Sequence, residues 1–147
     1  MQNNTDSLPT LPNKITVTAL VDAENAKVWE YYTNPEHITK WNFADPSWHC
    51  PSATNDLRPG GKYSARMEAR DGSFGFDLEM IYNEVVTGKK LDSGMPNSRQ
   101  VTVTFTPQGN KTQVDVTFDP ETENPVELQK MGWQAILNNF KSYTEAN

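Results

Sequence analysis

The residues best suited to chemistry are an adjacent histidine and cysteine, His49 and Cys50, with His37 and Asp45 nearby in the chain. A structural zinc site needs about four ligands at fixed spacing, and this spacing matches no established zinc pattern. A nucleophilic cysteine needs a base that the fold brings close, and the chain has only 2 histidines. We therefore expect no metal site, no cofactor and no catalytic residue at this position.

Two further patterns favour structure over catalysis. Asp77 and Glu79 alternate along a predicted strand, where cross-strand ion pairs are the ordinary role of such residues. The pair Gly60-Gly61 follows a proline and enters a strand, whereas a phosphate-binding loop leads into a helix. The sequence thus contains no phosphate-binding loop and no convergent acid–base pair.

The most informative element is a long helix near the carboxyl end, predicted over residues 124–143. Asn124 can cap it, Pro125 suits the first helical position, and Glu127 could close a capping box. Apolar side chains cover an arc wider than that of an ordinary surface helix: Val126, Leu128, Met131, Trp133, Ala135, Ile136, Leu137, Phe140 and Tyr143. Such a helix must be gripped by another element.

Three residues interrupt that arc, namely Gln129, Gly132 and Asn139. A glycine inside a helix costs about 1 kcal/mol relative to alanine, so either close packing or space for a ligand should compensate. We favour close packing. Gln129 and Asn139 either reach solvent near the sheet edges, which we favour, or offer their amides to a polar group in a cavity.

The preceding chain predicts the sheet that grips this helix. Residues 15–21 alternate as a first strand, Asp22 caps a short helix, and Asn34-Pro35 starts a second one. Residues 42–55 show no period and predict a loop or flap. About five antiparallel strands follow. The predicted class is α+β, with a curved antiparallel sheet of about six strands wrapped around a long C-terminal helix and two short helices after strand one.

Alternate residues of a strand point to the same face of the sheet, and this strand parity predicts a pocket between the sheet and the helix. The aromatic residues of the loop would lie at the mouth of that pocket. Its wall is mainly apolar and suits a hydrophobic or aromatic small molecule. The candidate ligand-binding residues are Trp41, Phe43, Trp48, Tyr63, Met67, Phe76, Met80, Tyr82, Gln129, Gly132, Ile136 and Asn139. Alternatively, the bulky Met67, Phe76 and Met80 fill the space and close it.

Composition limits the partners and the compartment. A net charge of -6 and a pI near 4.8 argue against nucleic acid or an anionic membrane as a partner. A single cysteine excludes an intramolecular disulfide and favours a reducing, cytoplasmic location. Residues 1–13 are polar and predict a flexible leader, and residues 14–145 predict a single domain.

Three segments of the chain resemble a known family. They are the helix pair with Val28-Trp29 and residues 35–41, the turn at residues 56–61, and Asn124-Pro125 followed by residues 132–140. They closely resemble bacterial single-domain proteins related to the activator of Hsp90 ATPase, within the START-like, helix-grip superfamily. The resemblance covers about residues 15–143. It implies a helix-grip fold with a cavity between the long helix and the sheet.

The resemblance does not imply one activity, because the superfamily also holds polyketide cyclases and lipid-transfer domains. We expect foremost a binding domain for a hydrophobic or aromatic ligand, gated by residues 43–50. The first alternative is a cyclase-like or hydratase-like enzyme acting on an aromatic or polyketide-like substrate, with Tyr63, Tyr82 or His49 moving protons. The second is a chaperone-interacting protein, which we expect less because this chain shows no counterpart of the eukaryotic activator's separate amino-terminal domain.

Overall fold

The computed structural model describes residues 14–147, so the predicted leader at residues 1–13 lies outside the described part. The elements, in chain order, are β1 (Ile15–Val21), α1 (Asn25–Thr33), α2 (Pro35–Trp41), β2 (Trp48–Asn55), β3 (Lys62–Ala69), β4 (Gly75–Val86), β5 (Lys90–Gly94), β6 (Gln100–Gln108), β7 (Lys111–Phe118) and α3 (Val126–Ala146). No helix among the described residues is long and apolar enough to span a membrane.

The strands form one curled antiparallel sheet in the order β1-β7-β6-β5-β4-β3-β2. Buried and exposed residues alternate along β1, β6 and β7, because successive side chains in a strand point to opposite faces. The buried set lies between the concave face and the helices. The predicted fold, a curved sheet wrapped around a C-terminal helix with two short helices after the first strand, is confirmed.

The sheet has seven strands, so the prediction of about six was too low. The missed strand is β2, which lies within the predicted flap of residues 42–55 and pairs with β3 at the sheet edge. Its register shifts between His49 and Ser52, an interval that contains Pro51. A bulge breaks the two-residue period, and an edge strand tolerates proline, so the segment shows no alternation in the sequence. Trp48 therefore belongs to a strand.

The helix starts also differ in part from prediction. Asn124 does not cap α3; its Nδ2 donates to Glu121 Oε2 at 2.8 Å, and the helix begins at Val126 with no side-chain cap. α3 also runs on to Ala146. Asp22 does not cap α1, which begins at Asn25. By contrast, Asn34 caps α2 as predicted, accepting from the Glu36 amide at 2.9 Å.

The sheet grips mainly the carboxyl half of α3. Leu137, Phe140 and Thr144 are its buried residues. One flank of α3 is attached to β1 by a hydrogen bond, in which Gln134 Nε2 donates to the Thr18 carbonyl at 3.1 Å. In the amino half, three apolar side chains are exposed: Val126 (51%), Leu128 (57%) and Met131 (68%). The sheet therefore does not cover these three members of the predicted apolar arc.

The turn before β3 depends on a glycine that has no room for a side chain. A Cβ on Gly61 would lie 2.0 Å from the Asp56 carbonyl oxygen. Its amide donates to the Arg58 carbonyl at 2.8 Å, and its carbonyl accepts from the Tyr82 amide at 3.0 Å, so the backbone is fixed on both sides. The clash is with backbone atoms, which cannot move aside without breaking these bonds.

We expect Gly61→Ala to lower the free energy of unfolding by about 1 to 3 kcal/mol, the usual cost of overpacking a fixed site. Urea denaturation of the purified variant measures this change. Unchanged stability would contradict the described turn.

Candidate functional site

A pocket of about 100 Å³ lies between α3 and the concave face of the sheet. Its walls are mainly apolar, and none of the lining side chains is a Lys, Arg, His, Asp or Glu. The lining residues are Tyr32, Trp41, Asn42, Tyr63, Leu78, Met80, Tyr82, Leu91, Ser93, Val101, Val103, Val116, Trp133, Ile136 and Leu137. The pocket lies at the sheet–helix interface where strand parity predicted one.

Five of the twelve predicted ligand-binding residues line this pocket: Trp41, Tyr63, Met80, Tyr82 and Ile136. β3 and β4 present the tyrosines and Met80 on their concave face. Trp41 ends α2, and its ring nitrogen donates to the Tyr31 carbonyl at 3.0 Å. The structure thus brings together residues from four different elements.

Two predicted aromatics lie outside the pocket, in an exposed cluster near the turn between β3 and β4. The ring centroids of Trp48 and Phe76 are 6.2 Å apart, and Phe74 lies 5.9 Å from Trp48. Phe76 is 44% exposed. It precedes the lining residue Leu78 by two positions, about 7 Å along the strand. The cluster therefore continues the concave face beyond the pocket, and Met67, paired with Phe76, is buried beside it.

The two amide side chains predicted on α3 hold loops. Gln129 Nε2 donates to the carbonyls of Glu121 and Asn124 at 3.0 and 2.8 Å, and its Oε1 accepts from the Glu121 amide at 2.9 Å. Asn139 Nδ2 donates to the carbonyl of Phe43 in the loop after α2. Both residues, like Phe43, are absent from the pocket lining. We had favoured a role in which both amides reach solvent near the sheet edges, and neither amide has that role.

Gly132 is not closely packed, contrary to the interpretation that we favoured. No heavy atom of a neighbouring element lies within 4 Å of a Cβ built at this position. The residue adjoins the lining residue Trp133, whose ring stacks on Phe118 at 4.1 Å. In the described part of the chain, no neighbouring element therefore packs closely against this glycine.

We expect Gly132→Ala to raise the free energy of unfolding by about 0.5 to 1 kcal/mol, since alanine is the better helix former and meets no clash. Urea denaturation of both glycine variants checks the sign of the change in the free energy of unfolding. Gly61→Ala should lower this free energy, and Gly132→Ala should raise it. A loss of stability on Gly132→Ala would show an unrecognised contact.

Polar groups in the pocket come mostly from residues that the sequence did not single out as site residues. Asn42 Nδ2 donates to the Tyr63 hydroxyl at 3.0 Å, and the Tyr82 hydroxyl donates to Asn55 Oδ1 at 2.7 Å. Tyr32 and Ser93 also line the pocket. Tyr32 shares a helix face with the buried Val28, and Ser93 lies on the buried side of β5, but these positions do not separate pocket walls from closed core.

The pocket tyrosines are neutral hydroxyls at physiological pH. Burial raises the pKa of Tyr63 well above its ordinary value and that of Tyr82 to about 12, and it also raises the pKa of Tyr32. They are therefore hydrogen-bond donors and poor bases. His49 does not line the pocket; its Nε2 lies 3.8 Å from Glu68 Oε1.

Cys50 also lacks the environment of a nucleophile. Burial raises the pKa of its thiol to about 11, and its Sγ donates to the Ser52 carbonyl at 3.4 Å. A thiol with a raised pKa is mostly protonated at neutral pH and reacts slowly. Among the described residues, no three His, Cys, Asp or Glu side chains lie where they could hold a metal ion.

These shifts predict a loss of stability in alkaline solution. The folded pKa exceeds the ordinary value for Cys50, about 11 against 9.0, and for Tyr82, about 12 against 10.0. The folded state therefore retains protons that the unfolded state releases, so its stabilisation is complete below pH 9 and is lost as pH rises towards 12. Denaturation at pH 8 to 11 measures this, and Tyr82→Phe should reduce the slope above pH 10. A flat profile would contradict the burial of both groups.

Comparison with known proteins places the chain in a family. The family of Activator of Hsp90 ATPase homolog 1-like proteins matches residues 22–145. No functionally curated protein matches. The solution structure of Chr148 from Cytophaga hutchinsonii is 49% identical, with a TM-score of 0.80, over 92% of this chain and 94% of that one.

Two further solved structures are similar. The AHSA1-like protein from Aeromonas hydrophila is 38% identical, with a TM-score of 0.85, over 90% of this chain and 92% of that one. Protein CV1439 from Chromobacterium violaceum shares the fold at 21% identity, with a TM-score of 0.81, over 92% of this chain and 100% of that one. The predicted resemblance is confirmed, and the chain belongs to the family of Activator of Hsp90 ATPase homolog 1-like proteins.

Proposed function

We propose that this protein is a non-catalytic domain that binds a small hydrophobic molecule in the pocket between α3 and the sheet. The observation that carries the proposal is the lining of that pocket, which is mainly apolar and contains no charged side chain. Ligand sites are commonly apolar concave surfaces with a few placed polar groups. Tyr32, Asn42, Tyr63 and Ser93 supply such groups here.

The size of the pocket limits the ligand. Its volume of about 100 Å³ is below the roughly 300 to 1,000 Å³ of most ligand sites and below the roughly 150 Å³ cavity that holds benzene. A compact molecule near the size of benzene therefore enters with a small displacement of the wall. Met80 suits this role, because an unbranched methionine adapts to different shapes. A longer ligand would extend towards the exposed cluster of Trp48, Phe74 and Phe76.

The enzyme alternative has less support. Proton transfer needs a group whose pKa lies near the working pH, and the pKa values of the pocket tyrosines are raised away from it. The third candidate, His49, is absent from the lining. A binding role requires neither a base nor a nucleophile.

Partner and location follow the same proposal. We take a small hydrophobic molecule as the principal partner and the cytoplasm as the location, since the one cysteine is a free, buried thiol. A chaperone partner is supported by the family description alone. We therefore expect no change in Hsp90 ATP turnover on adding this protein, and a change would favour that partner.

Native mass spectrometry of protein purified from its own host tests the binding proposal. We expect a fraction of the molecules to carry a retained small molecule, which denaturing conditions release. The Ile136→Trp variant, which places a larger side chain in the pocket, is the matched control and should carry none. Equal retention by both proteins would place the ligand elsewhere and contradict the proposal.

A further inference from the structure

We propose that Tyr32 and Tyr63 donate hydrogen bonds to an uncharged oxygen acceptor of the ligand, so that the pocket selects a ketone-like or aldehyde-like molecule over a pure hydrocarbon. This inference rests on the proposed binding function and names the ligand class. It follows from the hydrogen bonds that the two hydroxyls make, and do not make, within the described residues.

The Tyr63 hydroxyl has a donor but no acceptor. Its oxygen accepts from Asn42 Nδ2 at 3.0 Å, which leaves its own hydrogen free to donate. No acceptor for that hydrogen lies within hydrogen-bond distance among residues 14–147. The side chain is buried, with 8% of its surface accessible, and it lines the pocket. Its free hydrogen is therefore available to a molecule inside.

Tyr32 is held in place by its ring, and its hydroxyl has no partner in the described part of the chain. The ring stacks on Trp41 at 5.0 Å and meets Phe105 and Phe140 edge-on at 5.5 and 5.0 Å. These contacts fix the direction of the hydroxyl. The Tyr32 side chain is half-buried and lines the pocket.

Other tyrosines show that a satisfied hydroxyl is the rule in this fold. The Tyr82 hydroxyl donates to Asn55, the Tyr31 hydroxyl donates to the Asn147 carbonyl at 3.2 Å, and the Tyr143 hydroxyl is 2.7 Å from His37 Nδ1. A buried donor that is left unpaired loses the hydrogen bond that it makes to water and gains nothing in return. A ligand oxygen that accepts from Tyr32 and Tyr63 would recover this loss, whereas a hydrocarbon would not.

The absence of charge in the lining determines the charge of the ligand. A carboxylate would lose its hydration and find hydroxyl donors but no Lys, Arg or His among the lining side chains. A cation would find no Asp or Glu. An uncharged carbonyl oxygen, with two lone pairs and no net charge, suits both donors.

Binding of three matched probes tests the inference: cyclohexanone, the isosteric hydrocarbon methylenecyclohexane, and cyclohexanecarboxylate. We expect cyclohexanone to bind about tenfold more tightly than the hydrocarbon, the effect of satisfying one buried donor. Tyr32→Phe and Tyr63→Phe should each reduce this preference several-fold, because each variant removes one hydroxyl that the ketone satisfies and the hydrocarbon leaves unpaired. Tyr31→Phe, whose hydroxyl bonds to Asn147 and which is absent from the lining, is the control and should keep the preference.

The outcomes separate the two proposals. If the hydrocarbon and the ketone bind equally, and the phenylalanine variants change nothing, the selection by Tyr32 and Tyr63 is wrong while the binding function stands. If cyclohexanecarboxylate binds as tightly as the ketone, the requirement for an uncharged ligand is wrong. If no probe binds to the folded native protein, both proposals fail. Urea denaturation of each variant confirms that it is folded before binding is compared.

Discussion

Replacement of Phe140 by alanine is expected to lower the free energy of unfolding by about 3 to 5 kcal/mol, the usual cost of removing a buried phenylalanine ring. Phe140 is fully buried on α3. Its ring meets Trp41 and Tyr32 edge-on, both at 5.0 Å, and so joins the long helix to α2 and α1. Loss of the ring leaves a cavity at the junction of all three helices. Urea or thermal denaturation measures the effect.

The same substitution at Phe74 is the control. Phe74 is 61% exposed near the turn between β3 and β4, so Phe74→Ala should change stability by less than about 1 kcal/mol. A similar loss for both variants, or a small loss at Phe140, would mean that the carboxyl half of α3 is not the half that the sheet grips.

The variant Ile136→Trp is expected to weaken the binding of toluene by at least about tenfold, because the larger ring occupies space that the ligand needs. Ile136 lines the pocket from α3, and the available volume is about 100 Å³. Stability should fall by no more than about 1 to 3 kcal/mol, since the new side chain enters existing space. Isothermal titration calorimetry with toluene measures the change in affinity, and urea denaturation separately measures the change in stability.

Ile81→Trp is the matched control. Ile81 lies on β4 between the lining residues Met80 and Tyr82, so its side chain points to the opposite face and is 46% exposed. This variant should bind toluene like the native protein. If both tryptophan variants bind equally well, the ligand lies outside the pocket.

The sequence predicted those elements whose periodicity was intact. Alternation identified β1, β6 and β7, and Asn34-Pro35 marked the start of α2. The edge strand β2 was missed because its register shift between His49 and Ser52 removes the alternation. Capping residues were less informative for α3, since Glu121 pairs with Asn124 and competes with the helix for its side chain.

The candidate site was predictable only in part, for a physical reason. Parity states which face of a strand a residue occupies, and it correctly placed Tyr63, Met80 and Tyr82 on the concave face. It does not state how far a helix extends over that face. β4 begins at Gly75, and its first residues lie beyond the pocket, so Phe76 is exposed although it shares the parity of Met80.

We propose that the pocket between α3 and the sheet binds a small hydrophobic molecule. A titration of methyl-labelled protein with toluene, followed by NMR, tests it most directly. We predict saturable chemical-shift changes at the lining methyl groups of Leu78, Met80 and Ile136, with none at Leu20 or Ile81. Shift changes that do not saturate, or that appear at Leu20 and Ile81 as strongly as in the pocket, would contradict the claim.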